Sequence, residues 1–515
     1  MSEFIFKNSD QIGSLDAESD TFLEECFLES NVYDILRKFN DDSDFKKRII
    51  VGRTGSGKTA IIKKLSQDSN IKKHAIIEAE STVFEHINNN VFISQLLSNN
   101  IDLRVFYKSL WIHVLIVKVI ELTFSSNKSF FEKMQTLVGG KRKRYNLELA
   151  QEYVSKYSGN FFNDKFVSEI TEKMQSELSG TLGPNFAKAS GKVIDEVAQK
   201  IQTETARYVS SELLRKQKEL IKIIMEETAD EGQHRIIISI DDLDKSWLSS
   251  SSIRYDFINA LLDAFKELID IRSVKVLVSI RSDILMGIYK TNLRQEEKDR
   301  SLIVPIEWNK REIYEVLDKR ISYLIKHKYA GKTNVKFSDI FNFKVKDNDA
   351  ASYIVERTML RPRDAIDFVN FCLNQGDGTT SMNEDYVLEA EEKYYASRKT
   401  AINKEWFSRF KHIADYTDSI ALLNKSEFYK SEIEEEIRKI QEFLMSRSTR
   451  EDNSDDDRIA TDFDGLLDVW FTVGIIGIKK TDNIVIFSSF DKQSLDISDF
   501  NKKFLIHPLF YRINS

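Results

Sequence analysis

The stretch RIIVGRTGSGKTAIIKKL, residues 48–65, restricts the fold more than any other part of the chain. An apolar run, a turn with three glycines and a helical pattern follow one another without a spacer. Gly52-Arg53-Thr54-Gly55-Ser56-Gly57-Lys58-Thr59 satisfies G-x-x-x-x-G-K-[ST] in full. Glycines in such a turn let successive backbone N–H groups point at one centre, where phosphate oxygens sit. The helix that follows offers its positive end to the same anion. Lys58 is then expected to reach the β- and γ-phosphates, and the Thr59 hydroxyl to hold Mg²⁺. A strand, a phosphate turn and a helix in this order predict an α/β fold.

Further strands fit that prediction. RIIV before the turn, HAIIEA from His74, RIIISI from Arg235, VKVLVSI from Val274 and SLIVPI from Ser301 are short apolar runs rich in β-branched residues. They lack strict alternation, as parallel strands covered on both faces do. Helical patterns separate them, so a mostly parallel five-stranded sheet is expected.

The third run ends in acid. Ile236–Ile240 leads into Asp241 and Asp242, with Asp244 close behind. A carboxylate at the end of a buried strand suits the Mg²⁺ shell, which assigns Asp241 to the metal. Either Asp242 or Asp244 is expected to orient or deprotonate the attacking water. The fourth run ends at Arg281, at the strand edge where ligands of open α/β sheets bind. Its guanidinium can read a γ-phosphate through paired hydrogen bonds, or else pair with Asp283. Arg361 and Arg363, in RPRD, begin a later helix, and either can reach back to the nucleotide or simply face solvent. The seven histidines carry no metal-ligand spacing, and Cys26 and Cys372 have no activating motif.

The remaining chain divides by pattern. Residues 1–46 read as a polar lead-in and helix, 47–308 as the sheet-bearing core, 309–384 as a helical lid, 385–448 as a charged helical segment, and 449–515 as an acidic linker and terminal domain. A helical insertion occupies about residues 90–230. Within it Val193, Val197, Ile201, Val209 and Leu213 fall on a four-residue spacing, with Thr205 filling the one remaining place. That stripe drifts around a straight α-helix and so predicts more than one neighbour. The insertion either packs on the core or presents an oligomerisation or sensing surface. SLWIHVLIVKVIELTF, from Ser109, is too short for a bilayer and carries His113, Lys118 and Glu121, so a buried helix is expected. GGKRKRYN from Gly139 reads as an exposed basic loop, with a nucleic-acid contact as the alternative. FDGLLDVWFTVGIIGIKKTDNIVIFSSF predicts a helix followed by two strands, the order of a winged helix.

Composition sets the class. Hydrophobic residues form 41% and charged residues 30% of 515 positions, as in globular proteins. The formal net charge of −7 argues against a general nucleic-acid binder. No apolar leader stands at the N-terminus, and two distant cysteines suit a reducing cytoplasm.

GRTGSGKT, IIISIDDLD, VSIRSD and RPRD together resemble P-loop ATPases of the ASCE division, near AAA+ and STAND-type signalling ATPases. The DD-L-D pattern and the arginine after the fourth strand are similar to STAND and KAP-like proteins. GSLDAESD (Gly13–Asp20), LRPRD and IHPLF extend the resemblance to a bacterial group found near mobile-element and phage-defence genes. The resemblance covers most of residues 10–375 and the last few dozen. It implies ATP and Mg²⁺ as ligands, with Lys58, Thr59 and Asp241 binding them. It implies Arg281 as sensor 1, Arg363 as a sensor-2-like arginine, a homo-oligomer and an effector or sensor protein as partner. KAP proteins often carry membrane segments in the insertion; none is visible here. Three functions are then expected to compete: an ATP-driven switch, a DNA-dependent ATPase using the C-terminal wing, and an ATP-binding scaffold of low turnover.

Overall fold

A computed structural model describes residues 5–40, 42–78, 90–123, 164–182, 195–229, 234–241, 243, 251–291, 296–329, 335–447, 462–482 and 484–511. The chain forms two compact units. One comprises residues 30–51 and 61–304, the other residues 1–29, 52–60 and 305–515.

All five expected strands form one sheet: β1 (Ile49–Gly52), β2 (Lys73–Glu78), β3 (Ile236–Asp241), β4 (Val274–Arg281) and β5 (Ile303–Pro305). Their order is β2-β3-β4-β1-β5. β3 lies parallel to both β2 and β4, with Ile238 opposite Ala75 and Val276. β3 is buried throughout and β4 as far as Ile280, which explains their unbroken apolar sequence. Helix α1 (Lys58–Ser66) follows the glycine turn directly. Two buried cations secure the N-terminal ends of the central strands β1 and β4. Arg48 donates to the carbonyls of Val274 and Ile269, and Lys275 Nζ donates to four carbonyls, those of Ile35, Leu36, Lys38 and Asp44.

The apolar stretch from Ser109 lies in α2 (Arg104–Thr123), which packs on β2 and β3. Thirteen of its residues are buried, including every one from Ser109 to Val117. Among the described residues no helix is long and apolar enough to cross a membrane.

The insertion continues through α3 (Asp164–Leu182), α4 (Asp195–Tyr208) and α5 (Arg215–Glu227). Between α4 and α5 the backbone is a π-helix, Val209–Leu214. Ile201, Thr205, Val209, Leu213 and Gln217 are all buried. Four residues advance an α-helix by more than one turn but a π-helix by less. The π segment therefore cancels the drift that the four-residue spacing predicts for a straight helix. The stripe still meets two neighbours, α3 beside α4 and then α2 beside α5. Gln217 Nε2 closes the second contact on the Ser109 carbonyl at 2.8 Å. Helix α6 (Ser251–Ala264) packs against α2, and Trp111 Nε1 donates to Phe257 O at 3.1 Å. Val193 and the basic loop from Gly139 lie outside the described residues.

In the other unit α7 (Lys310–Lys328) begins at a full capping box of Asn309 and Glu312. β6 (Lys344–Val345) and β7 (Asn348–Asp349) form a small hairpin before α8 (Ala350–Glu356). Pro362 is the first residue of α9 (Pro362–Gln375), and Arg361 before it is extended, as the residue preceding proline prefers. α10 (Glu384–Trp406) follows. The lead-in segment joins this unit. Arg320, on α7, donates to Ile12 O and Asp20, while Asn370, on α9, exchanges bonds with the Ile12 N–H and the Gly13 carbonyl.

The C-terminal region contains a four-stranded antiparallel sheet, ordered β10-β9-β11-β8, where the sequence pattern suggests only a two-stranded wing. Its strands are β8 (Glu427–Phe428), β9 (Ile476–Thr481), β10 (Ile484–Ile486) and β11 (Phe504–Ile506). Helix α11 (Phe463–Val473) precedes β9 and ends at Gly474 in the left-handed conformation. The acidic stretch from Thr449 is outside the described residues.

Candidate functional site

The turn between β1 and α1 holds Gly55 at φ +80° and Gly57 at φ +98°, conformations that side chains resist. A Cβ on Gly55 would lie 2.8 Å from the Arg363 Cβ, and one on Gly52 would lie 2.3 Å from Ser56 Oγ. Glycine is thus favoured at 55 by both conformation and space, at 57 by conformation, and at 52 by space.

Every carbonyl from Gly52 to Ser56 accepts a hydrogen bond. Lys58 Nζ donates to Gly52 O (3.0 Å) and Arg53 O (3.1 Å). Arg53 O also accepts from the Ser56 N–H at 3.2 Å, which closes a tight turn. The next three donors come from distant sequence. Arg361 Nη1 donates to Thr54 O (2.9 Å), the Arg363 N–H to Gly55 O (3.3 Å), and Trp308 Nε1 to Ser56 O (2.8 Å). Glu405 Oε1 accepts from the Thr54 N–H at 3.3 Å, so both backbone groups of Thr54 are held by side chains.

Behind these contacts runs a buried ionic chain. Arg361 pairs with Asp364 (2.9 Å) and Glu405 (3.4 Å). Asp364 accepts from Arg398 at 2.5 Å, and Arg398 reaches Asp367 at 3.4 Å. Burial draws the Arg361 guanidinium down, but Asp364 and Glu405 outweigh it and hold it above its ordinary value. Arg53 turns into the same cluster, 3.7 Å from Glu405 and 5.6 Å above the Trp406 ring. His507, from IHPLF, is buried and kept neutral, with a pKa lowered to about 3 by burial and by Arg357, Arg361 and Arg53.

Of the two arginines in RPRD, Arg361 is the one locked on the turn. Arg363 lies against Gly55 through its backbone and Cβ, while its Nε donates to Leu15 O at 2.9 Å. Burial, with Arg398 and Arg361 nearby, pulls its pKa down. Trp308 and Glu405 carry no motif. Glu405 sits in NKEWF, a stretch indistinguishable from a charged helix end, and the contact spans 351 positions.

In the sheet-bearing unit, Asp241 is the last residue of β3 and is 6% exposed. Arg281 is the last residue of β4 and forms a two-point pair with Asp283, Nε to Oδ1 at 2.9 Å and Nη2 to Oδ2 at 2.8 Å. The sequence allowed that pairing as the alternative to phosphate reading. Asp242 and Asp244 lie outside the described residues.

Comparison with known families gives two matches. The model described as the KAP family P-loop domain covers residues 30–303. The one described as the FunZ-associated C-terminal helical domain covers residues 311–403, which include Arg361, Arg363 and Arg398. No curated protein matches the chain. With the glycine turn, the strand order and a family match over more than half the sequence, the chain belongs to the KAP family of P-loop NTPases.

Proposed function

We propose that this protein is an ATP-driven molecular switch of STAND-like type. The observation that carries the reading is the attachment of the phosphate turn to the C-terminal helical region. Arg361, Arg363, Trp308 and Glu405 all bond the backbone of residues 54–56. A turn so tied shares its conformation with the helices that hold it.

The residues suit MgATP. Gly55 and Gly57 supply the backbone conformations of a phosphate cradle, and Lys58 stands at the start of α1. Lys58 and the turn would hold the phosphates; Thr59 and Asp241 would hold Mg²⁺. Bound ATP supplies a β–γ phosphoanhydride as the bond to be hydrolysed. Asp242 or Asp244 would orient the attacking water and take its proton, and Arg281 would exchange Asp283 for phosphate oxygens. A homo-oligomer, a partner effector and a role in phage defence belong to the same reading. Lys479 on β9 and Lys503 just before β11 are both paired with Glu427, which counts against the DNA-dependent alternative.

The test is Mg²⁺-dependent ATP hydrolysis by wild type, Lys58→Ala and Asp242→Ala. Turnover in wild type and its loss in both variants supports the switch. Equal, negligible turnover in all three, with ATP still bound by wild type, would leave a scaffold instead.

A further inference from the structure

We infer that Trp308, Arg361 and Glu405 are positioning residues that set the direction of the phosphate-binding N–H groups. This rests on the nucleotide-binding reading above and concerns how the cradle keeps its shape.

The argument is geometric. In a trans peptide the C=O and the following N–H point in opposite directions, and no cis peptide occurs among the described residues. Fixing a carbonyl therefore fixes the next N–H. Arg361 holds Thr54 O, so the Gly55 N–H faces away from Arg361. Trp308 holds Ser56 O, so the Gly57 N–H faces away from the indole. These two glycines have positive φ, where no side chain restrains the backbone. Left alone, their peptide planes have the widest freedom in the turn. The bonded carbonyls remove that freedom at the two points where it is greatest.

Glu405 acts one step back. It accepts the Thr54 N–H and pairs with Arg361, so donor and acceptor grip one residue from both sides. Arg361 is 5% exposed and Glu405 7%, which makes both contacts costly to lose and poorly replaced by water. Trp308 reaches the turn from the segment before α7, and Arg361 from the segment before α9. The cradle is thus oriented by the helical region rather than by its own loop.

The experiment measures the affinity of mant-ADP with Mg²⁺ for full-length wild type, Lys58→Ala, Trp308→Phe, Arg361→Lys, Glu405→Gln and Glu405→Ala, well below the melting temperature of each. Trp308→Phe keeps a ring but loses the N–H donor. It and Arg361→Lys are expected to weaken binding about tenfold, the equivalent of one buried hydrogen bond. Glu405→Gln keeps an acceptor for Thr54 and should stay closer to wild type than Glu405→Ala. In turnover, KM should rise with kcat nearly unchanged. A merely structural role would lower the melting temperature without this split or the glutamine rescue. Should Arg361→Lys fail to fold, Trp308→Phe alone decides. Unchanged affinity in Trp308→Phe and Glu405→Ala, with wild type binding and Lys58→Ala not, overturns the inference and leaves the nucleotide reading standing. Absence of binding by wild type overturns both.

Discussion

The two longest helices among the described residues, α2 with 20 residues and α10 with 23, bury themselves in opposite ways. α2 is apolar around most of its circumference and packs against both the sheet and α6. α10 buries Glu391, Arg398 and Glu405 along with Val387, Ala390, Tyr394 and Ile402. Its three buried charges recur every seven residues and therefore share a face. Each finds an ionic partner in the same unit: Glu391 with Arg357 at 2.7 Å, Arg398 with Asp364, and Glu405 with Arg361. Apolar burial is strong and without direction; ion pairs add little net stability but fix geometry. The first helix holds a sheet together, and the second places atoms on a turn.

The contrast is broken most strongly by truncation. Trp111→Ala, in α2, should cost about 3–5 kcal/mol in chemical unfolding of the sheet-bearing unit. Asp364→Ala takes the nearest carboxylate from two buried guanidiniums and should cost a similar ~3–5 kcal/mol, read in the other unit. A sharper version separates the two mechanisms. Replacing Asp364 and Arg398 together by apolar residues of similar size should cost less than Asp364→Ala alone, because the Arg398 guanidinium goes with its nearest carboxylate, Glu405 still pairs Arg361, and only the longer contact to Asp367 is lost besides. No such relief is expected from a second truncation beside Trp111. Equal costs for the single and double charge variants would mean that α10 is held by packing, as α2 is.

Acid gives a smaller, graded effect. Burial lowers the pKa of His113, at the centre of α2, to about 3, and His507 is lowered to about 3 as well. Both are neutral in the fold but protonate near pH 6.5 when unfolded. The unfolded state therefore takes up more protons, and stability present above pH 6.5 is lost as pH falls toward about 3. Each should cost about 1.4 kcal/mol per pH unit below 6.5. His113→Gln should flatten the slope of melting temperature between pH 6.5 and 5; an unchanged slope would assign the acid lability elsewhere. The smallest effect belongs to the exposed Arg311–Glu315 pair on α7, 2.9 Å apart, whose removal by Arg311→Ala should change stability by at most about 0.5 kcal/mol.

What could be read from sequence follows the same division. All five strands appear within a residue or two of their apolar runs, and the glycine turn stands where its motif places it. Those signals are local, arising from periodicity and backbone conformation. Asn309 and Pro362 likewise announce the starts of α7 and α9. Trp308 and Glu405 were not legible, because neither tryptophan before a helix nor glutamate at a helix end implies a partner some 250 to 350 positions away. The paired roles of Arg361 and Arg363 were only half legible: RPRD marks a helix start, but which arginine is buried depends on Asp364, Arg398 and Glu405. The π segment was hidden too, since a four-residue stripe reads equally as a drifting α-helix.

That π segment has a consequence for how the chain tolerates changes in length. A π-turn carries one residue more than the α-turn it replaces. From Asp195 to Glu227 the helical rod therefore contains a surplus residue, stored between Val209 and Leu214. Taking one residue out there restores an ordinary α-helix with little change of phase beyond it, whereas a deletion elsewhere in the rod would rotate everything beyond it by about 100°. Gln217 would leave the Ser109 carbonyl, and α5 would turn a polar edge toward α2. The extra residue works as a phase adjuster that keeps one buried stripe facing its neighbours along a continuous rod.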